Sequence, residues 1–145
     1  MTQTKTDPPE SVLVNETVTT IPRIREIARD ARPELDSYMN CNPINPDICS
    51  ALSKHGIPAE TTLGMVSTKY RGYGDEHMFV IIDESGVQGV SSDVIVDGAL
   101  DQFCISNLDS GRVWESLGPK EDIPCPAVLT RGDELYSVFS TRRPA

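Results

Sequence analysis

Two spacings of hydrophobic positions divide this chain. Ile24, Ile27, Ala28 and Ala31 recur every three or four residues, the period of a helix that buries one face. Thr20 stands where a cap is needed and Pro22 suits a first turn, so a helix is predicted from about Pro22 to Ala31, with Pro33 breaking or restarting it. Ile48, Ala51, Leu52 and His55 repeat the pattern, and Gly56 follows where a left-handed C-terminal cap is wanted. This second helix has two candidate starts, Asn42-Pro43 and Asn45-Pro46, which put Cys41 at its entrance or about one turn before it.

The pattern then shortens to that of strands. Thr62 to Thr68, His77 to Asp83 and Val94 to Val96 are rich in β-formers, with a turn over Glu84 to Gly89. Two more apolar runs, Ala127 to Leu129 and Leu135 to Phe139, straddle Arg131-Gly132-Asp133 as the arms of a hairpin would. Helices first and strands afterwards predict an α+β fold, with helices packed on a small antiparallel sheet. Residues 1 to about 18 read as a flexible N-terminal arm or a short edge strand, and 19 to 145 as one domain. Tyr70-Arg71-Gly72-Tyr73-Gly74 reads as a loop able to cover a cleft, and Asp109 to Pro124 as a connection pinned by Trp114 and Leu117.

Composition narrows the possibilities. The 145 residues suit a single main core. Twenty-two Asp and Glu against 13 Lys and Arg give a net charge of -9, which repels phosphate backbones and anionic membranes and argues against nucleic acid or membrane partners. The same acidity suits solubility in concentrated salt. With no secretory signal pattern and no run of membrane-spanning length, a soluble cytoplasmic protein is expected. Cys41, Cys49, Cys104 and Cys125 show no CxxC spacing, so free thiols are expected instead of a zinc knuckle or redox pair.

Among these thiols Cys41 stands apart. Cys49, Cys104 and Cys125 read as small core hydrophobes, whereas Cys41 is flanked by Asn40, Asn42 and Pro43 and faces the positive end of a helix dipole, which favours thiolate. His77 opens one strand and Asp97 closes the next. If 77 to 83 and 90 to 97 form a hairpin centred near Val87, His77 and Asp97 are directly opposed, within reach of an imidazole to carboxylate hydrogen bond. A bulge at Ser91 and Ser92 would shift the register by one residue and send one side chain to the other face. Nucleophile, base and orienting acid are the parts of a thiol hydrolase. His55 is the substitute base, expected on or near its helix's apolar face, and Asp101 the substitute acid. Asp97 before Gly98 also suits a turn. Three dispersed donors make a poor metal site, and neither metal nor organic cofactor is expected.

The segments Cys41 with Ile48-Cys49-Ser50-Ala51-Leu52 and His55-Gly56-Ile57, His77-Met78-Phe79-Val80-Ile81-Ile82, Val94-Ile95-Val96-Asp97 and Asp101-Gln102-Phe103 together resemble compact papain-like and transglutaminase-like cysteine hydrolases. The resemblance spans roughly the middle half of the chain. It implies a papain-like core with Cys41 as nucleophile, His77 as base and Asp97 as orienting acid, while Gln102 and Phe103 match a structural element. No Gln precedes Cys41 closely, which leaves the oxyanion donors to the Cys41 backbone N–H with Asn40 or Asn42 as a second. The expected function is hydrolysis of a peptide, protein or other amide through a thioester. The alternatives are acyl transfer or deamidation on the same triad, and a non-catalytic module of a larger assembly such as a virus particle.

Overall fold

The computed structural model describes residues 18–32, 41–67, 74–103, 117 and 122–141. Helix α1 spans Ile21–Ala31, and the Thr20 hydroxyl accepts from the Arg23 backbone N–H at 3.3 Å, as the cap pattern predicts. Helix α2 spans Cys41–Lys54 and therefore begins at Cys41 itself. Pro43 falls in the first turn, where no backbone donor is needed, while Pro46 removes one intrahelical hydrogen bond. At the other end, Gly56 has φ 79°, its N–H bonds to the Ser53 carbonyl and the Ile57 N–H bonds to the Leu52 carbonyl, each at 3.0 Å. This paired closure terminates the helix where the sequence places the glycine.

Strands β1 (Ala59–Ser67), β2 (Gly74–Ile82), β3 (Val94–Asp97), β4 (Ala127–Leu129) and β5 (Phe139–Thr141) form one sheet in the order β4-β3-β2-β1-β5. Every strand pairing is antiparallel, so the described residues form an α+β fold with two α-helices on a curled five-stranded sheet. The two last strands are not the hairpin that the sequence suggests. Asp133 accepts from the Thr130 N–H at 2.7 Å, and the following residues wind into a 3-10 turn over Glu134–Val138. Residues 130–138 thus carry the chain from one edge of the sheet to the other, where Phe139 pairs with Val66.

Alternation along the strands builds two cores. Val80, Ile82, Val94, Val96 and Val128 face the helices and pack with Ile24, Ile27, Ile44, Ile48 and Leu52. Phe79, Ile81, Ile95, Ala127 and Leu129 face the other way and pack with Leu100 and Phe103, backed by Leu117 and Phe139. By the same parity His77 and Asp97 belong to the second face.

The N-terminal arm lies outside the described residues except for Val18, and the Tyr70 to Gly74 loop is described only at Gly74, where β2 begins. Of the connection over Asp109 to Pro124, Leu117 donates its N–H to the Phe103 carbonyl at 2.6 Å, and Trp114 lies outside the described residues. Among the described residues no helix is long and apolar enough to cross a membrane.

Candidate active site

The β2 and β3 strands pair as Val80 with Val96, Ile81 with Ile95 and Ile82 with Val94. Continued outward, this register sets Asp97 level with Phe79, so Asp97 is diagonal to His77 instead of directly opposite it. The expected pairing was off by two residues. Because strand side chains alternate with period two, an even shift keeps both groups on one face, and a diagonal neighbour remains within reach of a long side chain. His77 Nε2 lies 2.6 Å from Asp97 Oδ2.

Both groups are buried, His77 at 2% exposure and Asp97 at 0%. The imidazole is walled by aromatic rings: Phe103 meets it edge-on at 5.1 Å between centroids, with Phe79 at 6.1 Å and Phe139 at 6.5 Å. Phe103 thus forms part of the apolar wall around the imidazole. A carboxylate only accepts, so the neutral imidazole facing it carries its proton on Nε2 and presents Nδ1 as the basic nitrogen. Asp97 Oδ1 accepts from the Ala99 N–H and from Asn45 Nδ2, both at 2.9 Å. Asp97 thus serves as turn former and as imidazole partner at once.

Asn45 is the residue that sequence reasoning missed. The sequence offers it as one of two alternative helix caps, but α2 begins four residues earlier, and Asn45 is fully buried in the second turn. Its Oδ1 accepts from the Gly98 N–H at 2.8 Å, and its Nδ2 donates to the Met78 carbonyl at 2.8 Å as well as to Asp97. Met78 and Gly98 would be the next facing pair of the β2 and β3 ladder. The Asn45 amide fills that gap as a peptide group would, linking the helix side of the sheet to the carboxylate beyond it. One signal was legible: positions 41, 45, 48 and 52 share a helix face, and an Asn within an apolar stripe marks a buried polar role.

The Asp97-Gly98 turn is secured from several sides. The Gly98 carbonyl accepts from Arg32 Nε at 2.8 Å and from the Cys125 thiol at 3.1 Å. A Cβ at Gly98 would lie 2.5 Å from Ile48 Cδ1 and 2.7 Å from Ile44 Cγ2, so only glycine lets the turn sit this close under α2.

Helix α2 packs on β1 and β2, with Asn45 beside Met78 and its C-terminal end joined by a short link to Ala59, which pairs with Ile82. Asn45 to Lys54 is about 13 Å of helix and Met78 to Ile82 about 13 Å of strand, so the two elements run alongside in the same direction. Position 41 lies about 6 Å further along the helix, past Met78 toward the end of β2 that carries His77. Cys41 and Asn42 open α2, but their side chains lie outside the described residues, as does all of Asn40.

The other candidates are corrected. His55 lies beyond the helix on the exposed surface, not on the apolar face, with Nδ1 3.2 Å from Arg23 Nη2. Asp101 is buried, yet Asp97 is the acid that holds His77. Cys125 is exposed and so is not the core hydrophobe expected, Cys49 is half-buried and packs against the helix-side core, and Cys104 lies outside the described residues. Burial pushes the Cys49 thiol up from its ordinary range. No cluster of three or more metal-binding side chains occurs among the described residues.

Set against protein-family models, curated proteins and solved structures, the chain matches none.

Proposed function

We propose that this protein is a cysteine-dependent hydrolase with a papain-like core, cleaving an amide or peptide bond through a thioester on Cys41. The observation that carries this reading is the buried His77 and Asp97 pair, joined through Asn45 to the helix that Cys41 opens. The Cys41 thiol gives its proton to His77 Nδ1, and the sulfur attacks the substrate carbonyl carbon. The first backbone N–H groups of α2 have no partner within the helix, so those of Cys41 and Asn42 are suited to receive the developing oxyanion. The imidazolium, steadied by Asp97, protonates the leaving amine as the C–N bond breaks. Water then gives a proton to His77 and attacks the thioester, releasing the acid and restoring the thiol.

The chain's own thiols supply the test. Iodoacetamide at neutral pH, with each cysteine followed by peptide mass spectrometry, should label Cys41 at least about tenfold faster than exposed Cys125, with Cys49 slowest. His77→Ala should remove the advantage of Cys41. Equal rates at Cys41 and Cys125 would overturn the hydrolase reading and favour a non-catalytic binding or structural module.

A further inference from the structure

We propose that Asn45 is a positioning residue for this chemistry, aiming the Asp97 carboxylate at His77 and keying that acid to the helix that begins at Cys41. The inference rests on the hydrolase reading above and adds a fourth residue to it. Its amide orientation is fixed by its partners: the Gly98 N–H requires Oδ1 on one side, and the Met78 carbonyl requires Nδ2 on the other. The second Nδ2 hydrogen is then directed to Asp97 Oδ1. With Ala99 N–H on the same oxygen, Oδ1 is held by two donors, and Oδ2 is the atom left facing His77 Nε2.

The other contacts described at this turn differ in kind: Ala99 fixes Asp97 from within its own turn, while Arg32 Nε and the Cys125 thiol donate to the Gly98 carbonyl. Asn45 alone among these contacts comes from α2, so a displacement of the helix start is transmitted to the acid, and the acid's setting to the helix start. The part it plays is geometric and electrostatic; it donates to the carboxylate and touches no substrate.

The chain has two histidines, which makes a spectroscopic test simple. In proton and nitrogen NMR, His77 should show a downfield, slowly exchanging Nε2 proton bonded to Asp97, assigned by its persistence in His55→Gln. Asn45→Ala should move that proton upfield and slow Cys41 alkylation by at least about tenfold, while Cys125 keeps its rate. Asn45→Asp keeps an acceptor for Gly98 but turns an acceptor toward Asp97, and should do the same. Should Asn45→Ala fail to fold, Asn45→Asp and the unmodified chain decide, because there the two Nδ2 protons of Asn45 should exchange slowly and resonate apart. An unmoved His77 proton in either folded variant, or rapid exchange of the Asn45 amide, would overturn the inference. A Cys41 no more reactive than Cys125 beside a normal His77 signal would instead remove the hydrolase reading and leave the Asn45 geometry standing.

Discussion

The two histidines of this chain occupy opposite settings. His77 is sealed among Phe79, Phe103 and Phe139 with Nε2 on a buried carboxylate, whereas His55 sits on the surface past the end of α2, with Nδ1 beside the Arg23 guanidinium. The contact between His55 and the Arg23 guanidinium is open to water and salt. The hydrogen bond between His77 and Asp97 forms in surroundings that exclude both. The same side chain is therefore held on a buried acid in one place and makes an exposed contact in the other. Neighbours, and not residue type, make that distinction.

The largest effect should come from removing the anion. Asp97→Ala leaves Asn45 Nδ2, the Ala99 N–H and His77 facing a void, and truncating one partner of a buried pair costs about 3–5 kcal/mol. Urea denaturation should register that loss, and Cys41 should lose its alkylation advantage; a stable, fully reactive variant would erase the contrast between the histidines. A smaller effect is expected from Gly98→Ala, whose added methyl meets Ile44 and Ile48 and forces α2 away from the acid. Overpacking of this kind costs about 1–3 kcal/mol, and the His77 NMR signal should shift with it. His55→Gln should be nearly silent, within about 0.5 kcal/mol in thermal melting and without effect on Cys41. Loss of Cys41 reactivity in that variant would make His55 the base and reverse the comparison.

How far the sequence could be read follows from how local each determinant is. The Thr20 cap, the Gly56 closure and the β-rich runs of β2 and β3 depend on neighbours a few residues away, and all were legible. The pairing of His77 with Asp97 was legible as well, although its register was off by two, because period two makes an even error harmless to which face a residue takes. The destination of β5 was hidden. Its pairing with β1 depends on the Asp133 turn and the 3-10 helix over Glu134–Val138, which together carry the chain to the far edge of the sheet. Asn45 was obscured by its own chemistry: Asn before Pro is an ordinary helix start, and only its burial against Met78, Asp97 and Gly98 gives it another meaning. Cys125 was misjudged for a related reason, since a thiol is a common core residue and nothing nearby in sequence announces its contact with the Gly98 carbonyl.

Helix α1 is fastened at both of its ends. Before it, the Thr19 N–H bonds to the Gly86 carbonyl at 2.9 Å and the Gln88 N–H to the Thr19 carbonyl at 2.8 Å; after it, Arg32 holds the Gly98 carbonyl. The helix is thus a strut laid between the link that precedes β3 and the turn that follows it. Anything that pulls on its leading end is passed along a stiff rod to the backbone beside Asp97. A fusion partner or protease cut placed ahead of Val18 spares both anchors, while trimming through Thr19 would slacken the rod and, with it, the seat of the carboxylate.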